Sequence, residues 1–482
     1  MYNTNIYKKL ESKMYRELLD NDYINEDINS NDFPRDYDKL TAINRFCEGY
    51  KDFLSVAKTE RLAVDEIERL AKKAGFKKFN PNNILKSGDK IYFINKNKNI
   101  ILYIIGYNRI TDGMRILGAH IDSPRLDLKQ NPLYEKKEFA LFDTHYYGGI
   151  KKYQYVTTPL AIHGVVCRKD GTSIKIDIGE KPSDPIIGIP DLLIHLSQDQ
   201  LQKTAAKAIE GEDLDVIVGS RPLPAEEKEA VKKYLMDYLE RNYKFKEEDF
   251  ASAELEVVPA GKARDFGLDN SMIASYGQDD RVCAYTSLKA MLDMYRTPRY
   301  TVCGLFVDKE EIGSYGATGA ESVFFENTVL EILHTYGQDN IYNLRKALEK
   351  SYMLSSDVNA AIDPIYASAS DENNAARFNY GIVFEKYTGA RGKSGASDAN
   401  PEYFAKIREV MDRFELCYQT GELGAVDKGG GGTIAHISAK YNMEVIDAGV
   451  AVLNMHSPME IVSKADVFET YLAYRAFALY TR

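Results

Sequence analysis

The stretch Thr301-Val-Cys-Gly-Leu-Phe-Val-Asp-Lys-Glu-Glu-Ile-Gly-Ser314 places two adjacent glutamates between an apolar run and a glycine turn. The run from Thr301 to Val307 is typical of a buried strand in a mixed α/β sheet. In such sheets ligands bind beyond the carboxyl ends of the strands, where Glu310 and Glu311 lie. Adjacent residues leaving a strand point in different directions, so one carboxylate could bind a metal while its neighbour moves a proton. For this stretch taken alone, a solvated acidic turn is the alternative.

The size and composition of the chain are those of an ordinary globular protein. Its 482 residues are 44% hydrophobic and 28% charged, enough for about two or three domains without disulfide support. A net charge of −10 offers no electrostatic footprint for nucleic acid or an anionic membrane. The five cysteines have no paired spacing, and the sequence has no signal core and no apolar run of the roughly 20 residues a membrane helix needs. We therefore expect a cytoplasmic protein that binds neither nucleic acid nor membrane.

Alternating strand and helix patterns flank a segment of different character. Residues 59–74 have apolar side chains at helical spacing, and residues 99–105 and 114–119 are typical of strands. In the middle segment, Lys169-Asp170-Gly171 separates two runs at strand period, which predicts a β-hairpin. Residues 255–259 are expected to return the chain to the main sheet. The prediction is an α/β fold with a mixed sheet formed by residues 1–126 and 257–482, and an inserted β-rich domain at residues 127–256.

Five reactive side chains lie at or just past the end of a predicted strand, or in a loop leading to a helix. Because these ends converge in an open α/β sheet, we expect the five to lie together. Two imidazoles and three carboxylates suit zinc, manganese or cobalt and argue against a thiolate-rich structural site. If one carboxylate bridged two ions, each ion would also have one histidine and one further carboxylate. The five residues are His120, Asp279, Glu311, Asp357 and His456.

A two-metal centre of this composition predicts hydrolysis. Three carboxylates against two dications leave about one positive charge, enough to hold hydroxide at neutral pH and to polarise a carbonyl. Glu310 is the candidate general base, which would take the proton of the water and pass it to the leaving amine. Asp122, two residues after His120, is the candidate carboxylate that orients a metal-bound imidazole. A single histidine at a strand end is more often structural, but the combination favours a metal site.

Five motifs surround these residues in a fixed order along the chain. They are Gly118-Ala-His-Ile-Asp-Ser-Pro124, Gln278-Asp-Asp-Arg281, Asp308-Lys-Glu-Glu-Ile-Gly-Ser314, Ser355-Ser-Asp-Val-Asn-Ala-Ala361 and Met455-His-Ser-Pro-Met-Glu460. Together they resemble the aspartyl aminopeptidase and aminopeptidase I family of dinuclear metallopeptidases, over nearly the whole chain. The resemblance implies hydrolysis of the N-terminal peptide bond of peptides, with a metal-bridging hydroxide as nucleophile and Glu310 as general base. It also implies that Asp279 bridges the two metal ions. His120 and Asp357 are then expected to bind opposite ions, with Glu311 and His456 as the further ligands.

The same resemblance implies an architecture and an assembly. The expected fold is a three-layer metallopeptidase domain with an inserted β-rich dimerisation domain, and the expected cofactors are two divalent ions per subunit, zinc before manganese or cobalt. The expected assembly is a closed homo-oligomer, a tetrahedral dodecamer built from dimers. In that family a histidine of the inserted domain reaches a neighbouring active site, and His195 is the best match for it.

The sequence departs from the family around the substrate pocket. Asp357 is followed by Val-Asn-Ala-Ala rather than by the histidine-containing pattern of the family, and the chain contains no tryptophan. The preference for acidic or neutral N-terminal residues therefore stays open. Lys393, in the loop from Gly389 to Asp398, is a candidate partner for an acidic side chain or a peptide carboxylate, and a solvated loop lysine is the alternative.

Other mechanisms lack their signatures in this chain. There is no GxSxG, no HExxH and no GK[ST] pattern, and Lys428 precedes rather than follows the glycines Gly429 to Gly432. That glycine run could instead offer amide donors to a substrate carbonyl. Two alternatives to an aminopeptidase remain at this point: a related dinuclear amidohydrolase or deacylase, and a catalytically silent shell that binds peptides.

Overall fold

The computed structural model describes residues 39–224 and 228–481, together with Ile6, Tyr15, Leu18 and Glu226. Within these residues the chain alternates strands and helices around three main sheets. The strands are β1 (Lys77–Lys78), β2 (Lys90–Asn95), β3 (Asn99–Ile104), β4 (Met114–His120), β5 (Arg125–Lys136), β6 (Phe139–Tyr147), β7 (Leu160–Cys167), β8 (Ser173–Ile178), β9 (Val216–Gly219), β10 (Ala253–Pro259), β11 (Arg264–Phe266), β12 (Met272–Ser275), β13 (Thr301–Val307), β14 (Tyr352–Ser355), β15 (Asn359–Ala360), β16 (Ile382–Glu385), β17 (Gly389–Ala390), β18 (Tyr418–Thr420), β19 (Gly430–Gly431), β20 (Glu444–Gly449), β21 (Ala451–Leu453) and β22 (Glu460–Ser463).

The helices begin and end close to local signals in the sequence. Thr59 caps α2 by accepting a hydrogen bond from the backbone N–H of Leu62, as its position before the apolar period predicts. Among the described residues, no helix is both long and apolar enough to cross a membrane. The helices are α1 (Lys39–Val56), α2 (Glu60–Lys73), α3 (Gln198–Leu201), α4 (Ala205–Ala208), α5 (Ala230–Tyr243), α6 (Gln278–Leu292), α7 (Phe324–His334), α8 (Ile341–Glu349), α9 (Pro401–Arg413), α10 (Ala435–Ala439) and α11 (Lys464–Tyr480).

The largest sheet has nine strands in the order β1-β2-β3-β13-β4-β14-β20-β16-β18. Its centre is parallel, from β13 through β4 and β14 to β20, whereas β3 and β16 run antiparallel to their neighbours. Side chains alternate between its faces: Leu117 packs with α6 and α11, while Ile116 packs with α7 and α8. Helices therefore cover both faces of a mixed sheet, which confirms the predicted α/β class.

A second sheet of six strands, in the order β8-β7-β10-β5-β6-β9, has a hydrophobic core of its own. The predicted hairpin is present as β7 and β8, joined at Lys169-Asp170-Gly171. The prediction for residues 255–259 was wrong, because they form part of β10, which pairs with β7 and β5 in this sheet rather than in the main one. Leu255 and Val257 face its core, so an apolar strand was recognised correctly but assigned to the wrong sheet.

A third sheet has five short strands in the order β11-β12-β22-β21-β15. The chain enters α6 directly after β12 and makes a turn at His456 between β21 and β22. Because β12 and β22 pair with Ser275 opposite Glu460, this sheet brings the start of α6 close to that turn.

Candidate metal centre

Three neighbouring parallel strands of the nine-stranded sheet deliver four of the candidate residues to one edge. His120 is the last residue of β4, and Asp357 follows the adjacent β14 by two residues. Glu310 and Glu311 lie in a single 3₁₀ turn just beyond β13, which pairs with the other side of β4. The turn that carries Glu310 and Glu311 therefore lies where the parallel strands end.

Asp279 and His456 reach the same place from the five-stranded sheet. Asp279 lies at the start of α6, and the fully buried Glu460 accepts hydrogen bonds from the backbone N–H groups of Gln278 (2.6 Å), Asp279 (3.1 Å) and His456 (2.8 Å). One carboxylate thus holds the two loops that carry candidate ligands. Sequence reasoning missed this role of Glu460, and its only signal was an acidic residue within the motif that begins at Met455.

The five candidate ligands form two groups that share Asp279. Its Oδ1 lies 3.1 Å from Nε2 of His120, and its Oδ2 lies 3.1 Å from Nε2 of His456. Asp357 Oδ1 lies 3.9 Å from the His120 nitrogen, and Glu311 Oε2 lies 3.4 Å from the His456 nitrogen. In each group of three, the potential ligand atoms all lie within 4.8 Å of one another. Each oxygen of Asp279 therefore faces a different histidine.

The grouping differs from one expectation. His120 and Asp357 were expected to bind opposite metals, but they lie in the same group because they leave adjacent parallel strands side by side. Glu311 lies with His456 on the other side of Asp279. Each group still contains one histidine, one carboxylate of its own and the shared aspartate.

Asp122 connects the base candidate to the ligands. Its Oδ1 lies 3.3 Å from Nδ1 of His120 and accepts the backbone N–H of Glu310 at 3.2 Å. Its Oδ2 accepts the backbone N–H of Glu311 at 3.2 Å and the hydroxyl of Tyr147 at 2.8 Å. The side chain of Asp122 is fully buried, so these contacts fix both the imidazole and the turn that carries the two glutamates.

The end of β6 also touches the centre, through residues Tyr147, Gly148 and Gly149, which we call the 147–149 turn. Besides the Tyr147 hydroxyl on Asp122, the carbonyl of Gly149 lies 2.8 Å from Nδ1 of His456 and accepts its proton. Sequence reasoning assigned no role to this region. The paired glycines after an aromatic residue were the one local signal of a close backbone approach.

The environment of Glu310 suits a group that exchanges a proton near neutrality. Burial raises the pKa of Glu310 to about 7, and the negative charges of Asp122 and Asp279 act in the same direction while the charge of His120 opposes them. A general base works best when its pKa lies near the working pH. Bound cations would lower this pKa, since they favour the ionised form.

The remaining carboxylates carry more negative charge than the protein itself compensates. Burial raises the pKa of Glu311 and of Asp357 well above the usual range, and neighbouring carboxylates add to the effect. Burial also acts to raise the pKa of Asp279, but hydrogen bonds from His120 and His456 outweigh it and hold that pKa low. Buried carboxylates that repel one another in this way are stabilised by a cation.

The residues present fit divalent metal ions. Oε1 of Glu311 is buried and has no hydrogen-bond partner among the described residues, which is an acceptor available to a cation. The imidazoles have their Nε2 atoms directed at the carboxylates while their Nδ1 atoms contact oxygen atoms of Asp122 and Gly149. Imidazole with carboxylate is a donor set that zinc accepts, and the oxygen contacts at Nδ1 are those that fix a metal-binding tautomer.

Two candidate substrate residues lie outside these groups. His195 is exposed in a 3₁₀ turn of residues 194–196, within the part of the chain that holds the six-stranded sheet. The ammonium of Lys393 lies 3.2 Å from the ring centre of Tyr387 in an exposed loop. Among the described residues, His195 belongs to no group that could hold a metal ion. The roles of His195 and Lys393 stay predictions.

Comparison with known proteins identifies the family of this centre. The model of the family described as Aminopeptidase I zinc metalloprotease (M18) matches residues 53–478. The chain belongs to the M18 family of aminopeptidases. Membership makes it a metal-dependent aminopeptidase by family, and the family description supports zinc as the metal.

Similarity to individual M18 proteins covers almost the full chain. A probable M18 family aminopeptidase 1 of Clostridium acetobutylicum is 53% identical over 95% of this chain and 99% of its own. The crystal structure of an M18 aminopeptidase from Thermotoga maritima is 46% identical, covers 91% of this chain and 96% of its own, and has a TM-score of 0.88. The dodecamer structure of mApe1 from S. cerevisiae is 20% identical, covers 90% and 97%, and has a TM-score of 0.72, which shows a shared fold alone.

Proposed function

We propose that this M18 protein removes single N-terminal residues from peptides with two divalent ions, zinc before manganese or cobalt, shared through Asp279. The observation that carries the proposal is the geometry of Asp279, whose two oxygens each lie 3.1 Å from a different histidine. One group is completed by Asp357 and the other by Glu311. A site for a single ion would use only one of these two groups of ligands.

In this proposal Glu310 carries the proton. When bound, the ions would activate the attacking water and polarise the scissile carbonyl. Glu310 accepts the proton of that water and then donates it to the leaving amine. This role is supported by a Glu310 oxygen that lies within 4.8 Å of potential ligand atoms of His120 and of Glu311, one from each group. Asp122 orients His120 and holds the backbone of Glu310, so that the base stays close to the ligands.

Hydrolysis of aminoacyl arylamides tests the reaction. Metal-free protein is loaded with zinc, manganese or cobalt and assayed with leucyl and aspartyl arylamides, each with a free and with an acetylated amine. We expect turnover only of the free amines, because an aminopeptidase recognises the charged N-terminus. Release of acetate from the acetylated substrates, with the arylamide bond left intact, would indicate the deacylase alternative instead.

Glu310→Gln separates the enzyme from a silent peptide-binding shell. We expect zinc binding to persist while kcat falls by about 100-fold or more, the usual contribution of a positioned base. Glu326→Gln is a control, since Glu326 is also a partly buried glutamate but lies on α7, where it accepts a hydrogen bond from the hydroxyl of Tyr441. If Glu310→Gln leaves turnover unchanged with metal bound, Glu310 is not the base.

We further propose that residues 186–201, here called the apolar segment, pack against a second copy of the chain. Six apolar side chains of this segment are exposed by 47% to 68%, an arrangement that a monomer in water would not favour. His195 lies among them, so dimerisation would bury it at the contact. The six residues are Ile186, Leu192, Leu193, Ile194, Leu196 and Leu201. The proposed assembly is a dimer of this kind, repeated to form a closed dodecamer.

Subunit complementation tests whether His195 acts in a neighbouring active site. Chains carrying His195→Ala or Glu310→Gln are expressed separately and together. If His195 acts across the contact, each variant alone is impaired, while co-expression restores about a quarter of the sites, because a His195→Ala chain then meets an intact histidine. No recovery in mixed oligomers would show that His195 does not act in trans.

A further inference from the structure

We propose that the 147–149 turn is a positioning element of the catalytic centre, and that the Tyr147 hydroxyl sets the position of Asp122 and thereby of both glutamates. The inference rests on the proposed function. It assigns to the segment of the six-stranded sheet a role in positioning the catalytic groups of its own chain, in addition to any role in assembly. Its basis is a set of contacts between this turn and residues that hold or flank the ligands.

The ring of Tyr147 packs against a buried, ion-paired arginine. The ring lies 4.0 Å from the guanidinium of Arg125, which is buried and paired with Asp127 at 2.8 Å and with Glu60 at 3.3 Å. A stacked guanidinium restricts the ring to one plane. The hydroxyl at the end of that ring donates to Oδ2 of Asp122 at 2.8 Å.

Asp122 passes this restraint to the reacting groups. Each of its oxygens accepts the backbone N–H of one glutamate, Oδ1 from Glu310 and Oδ2 from Glu311, and Oδ1 also faces His120. A rotation of the Asp122 carboxylate would shift the imidazole and the glutamate turn together. The Tyr147 hydroxyl bonds to this carboxylate from the 147–149 turn and therefore restricts that rotation.

The two glycines bring the rest of the turn against the other group of ligands. Gly148 has a φ of +74°, and a Cβ added there would lie 3.3 Å from Cβ of Glu311 and 3.3 Å from Pro124. The carbonyl of Gly149 accepts the proton of Nδ1 of His456, which leaves Nε2 free to face Asp279. The turn thus touches residues from both groups of ligands.

Tyr147→Phe removes the hydroxyl and keeps the ring on Arg125. We expect zinc affinity or kcat to fall by about 10-fold to 100-fold, the usual effect of losing a partner that orients a metal ligand. KM should change little, because Tyr147 is placed to contact Asp122 rather than the peptide. Zinc affinity is measured by competition with a chelator, kcat and KM with an aminoacyl arylamide, and stability by thermal unfolding of the metal-free protein.

Tyr276→Phe is the matched control. Tyr276 is equally buried and donates to the carbonyl of Pro124 at 3.1 Å, an oxygen that also accepts the hydroxyl of Tyr155 at 3.1 Å. Loss of this hydroxyl should leave zinc affinity and kcat unchanged. If Tyr147→Phe matches Tyr276→Phe in zinc affinity, kcat and KM, the inference is wrong and Tyr147 serves packing alone.

A second variant protects the test against misfolding. Gly148→Ala places a methyl group against Glu311 and Pro124, and should lower kcat at unchanged secondary structure. If Tyr147→Phe does not fold, a Gly148→Ala chain that folds with unchanged zinc affinity and kcat overturns the inference. An inactive wild-type protein that binds no zinc would refute the proposed function instead, so the two failures are distinguishable.

Discussion

Replacement of Asp122 by asparagine should weaken metal binding as well as the fold. In the native protein three donors converge on the two carboxylate oxygens: two backbone N–H groups and the Tyr147 hydroxyl. The Nδ1 atom of His120 lies 3.3 Å from Oδ1 and 3.1 Å from the backbone carbonyl of Asp122. Asparagine offers only one oxygen, so in either orientation its NH₂ group faces a backbone N–H. One buried donor left unsatisfied costs about 1–3 kcal/mol of stability.

The loss of metal affinity should be of similar size, because a tenfold change in affinity is about 1.4 kcal/mol. Loss of the carboxylate that orients a ligating histidine typically lowers metal affinity or activity by about 10-fold to 100-fold. Zinc affinity is measured by chelator competition, and stability by urea unfolding of the metal-free protein. Asp466→Asn is the control, because Asp466 is also fully buried and accepts backbone N–H groups, among them those of Asn379 at 2.8 Å and Gly381 at 2.7 Å.

The two variants together decide the outcome. Both should lose a similar amount of stability, since each loses one acceptor for a backbone donor. Only Asp122→Asn should lose zinc affinity and kcat, because Asp466 lies at the start of α11 and contacts no candidate ligand. Equal zinc affinity in Asp122→Asn and the wild type would refute the role assigned to Asp122.

Three further changes have defined outcomes. Glu460→Gln leaves one oxygen for three backbone donors, so zinc affinity by chelator competition should fall by about 10-fold; an unchanged affinity contradicts this. Burial and the charge of Asp447 raise the pKa of Glu385 from 4.5 to about 8. The folded state therefore binds the proton of the Glu385 carboxyl more tightly than the unfolded state does, and stability is lost as the pH rises from 4.5 to about 8. The free energy of unfolding falls by at most about 1.4 kcal/mol per pH unit from this group. Glu385→Gln should reduce this pH dependence in urea unfolding from pH 5 to 8, and an unaltered pH dependence would refute the raised pKa of Glu385. Leu193→Asp should reduce the native mass in sedimentation by breaking the contact of the apolar segment, and a wild type that sediments as a monomer would contradict that contact.

Strands with strong local signals could be predicted from the sequence. The buried runs that became β3, β4 and β13 were found within about one residue, because a short apolar run is itself the signal of a fully buried strand. The same rule could not assign β10 to a sheet. Its apolar residues indicate burial, but pairing with β7 and β5 depends on residues almost a hundred or more positions away.

The candidate site was predictable to the extent that strand ends converge. His120, Glu311 and Asp357 follow three adjacent parallel strands, so topology alone brings them together. The contacts of Tyr147 and Glu460 could not be found in this way, since they come from other sheets and have no periodicity that marks them. Their contacts depend on how the three sheets pack against one another.

The most direct test of the account is the number of zinc ions that each chain binds. Metal-free wild-type protein and Asp279→Ala are titrated with zinc by isothermal calorimetry, and bound metal is counted by mass spectrometry after gel filtration. Because Asp279 has one oxygen in each group of ligands, we predict two ions per wild-type chain and a loss of tight binding at both groups in Asp279→Ala. One ion per wild-type chain, or two tightly bound ions in Asp279→Ala, would contradict a centre built around Asp279.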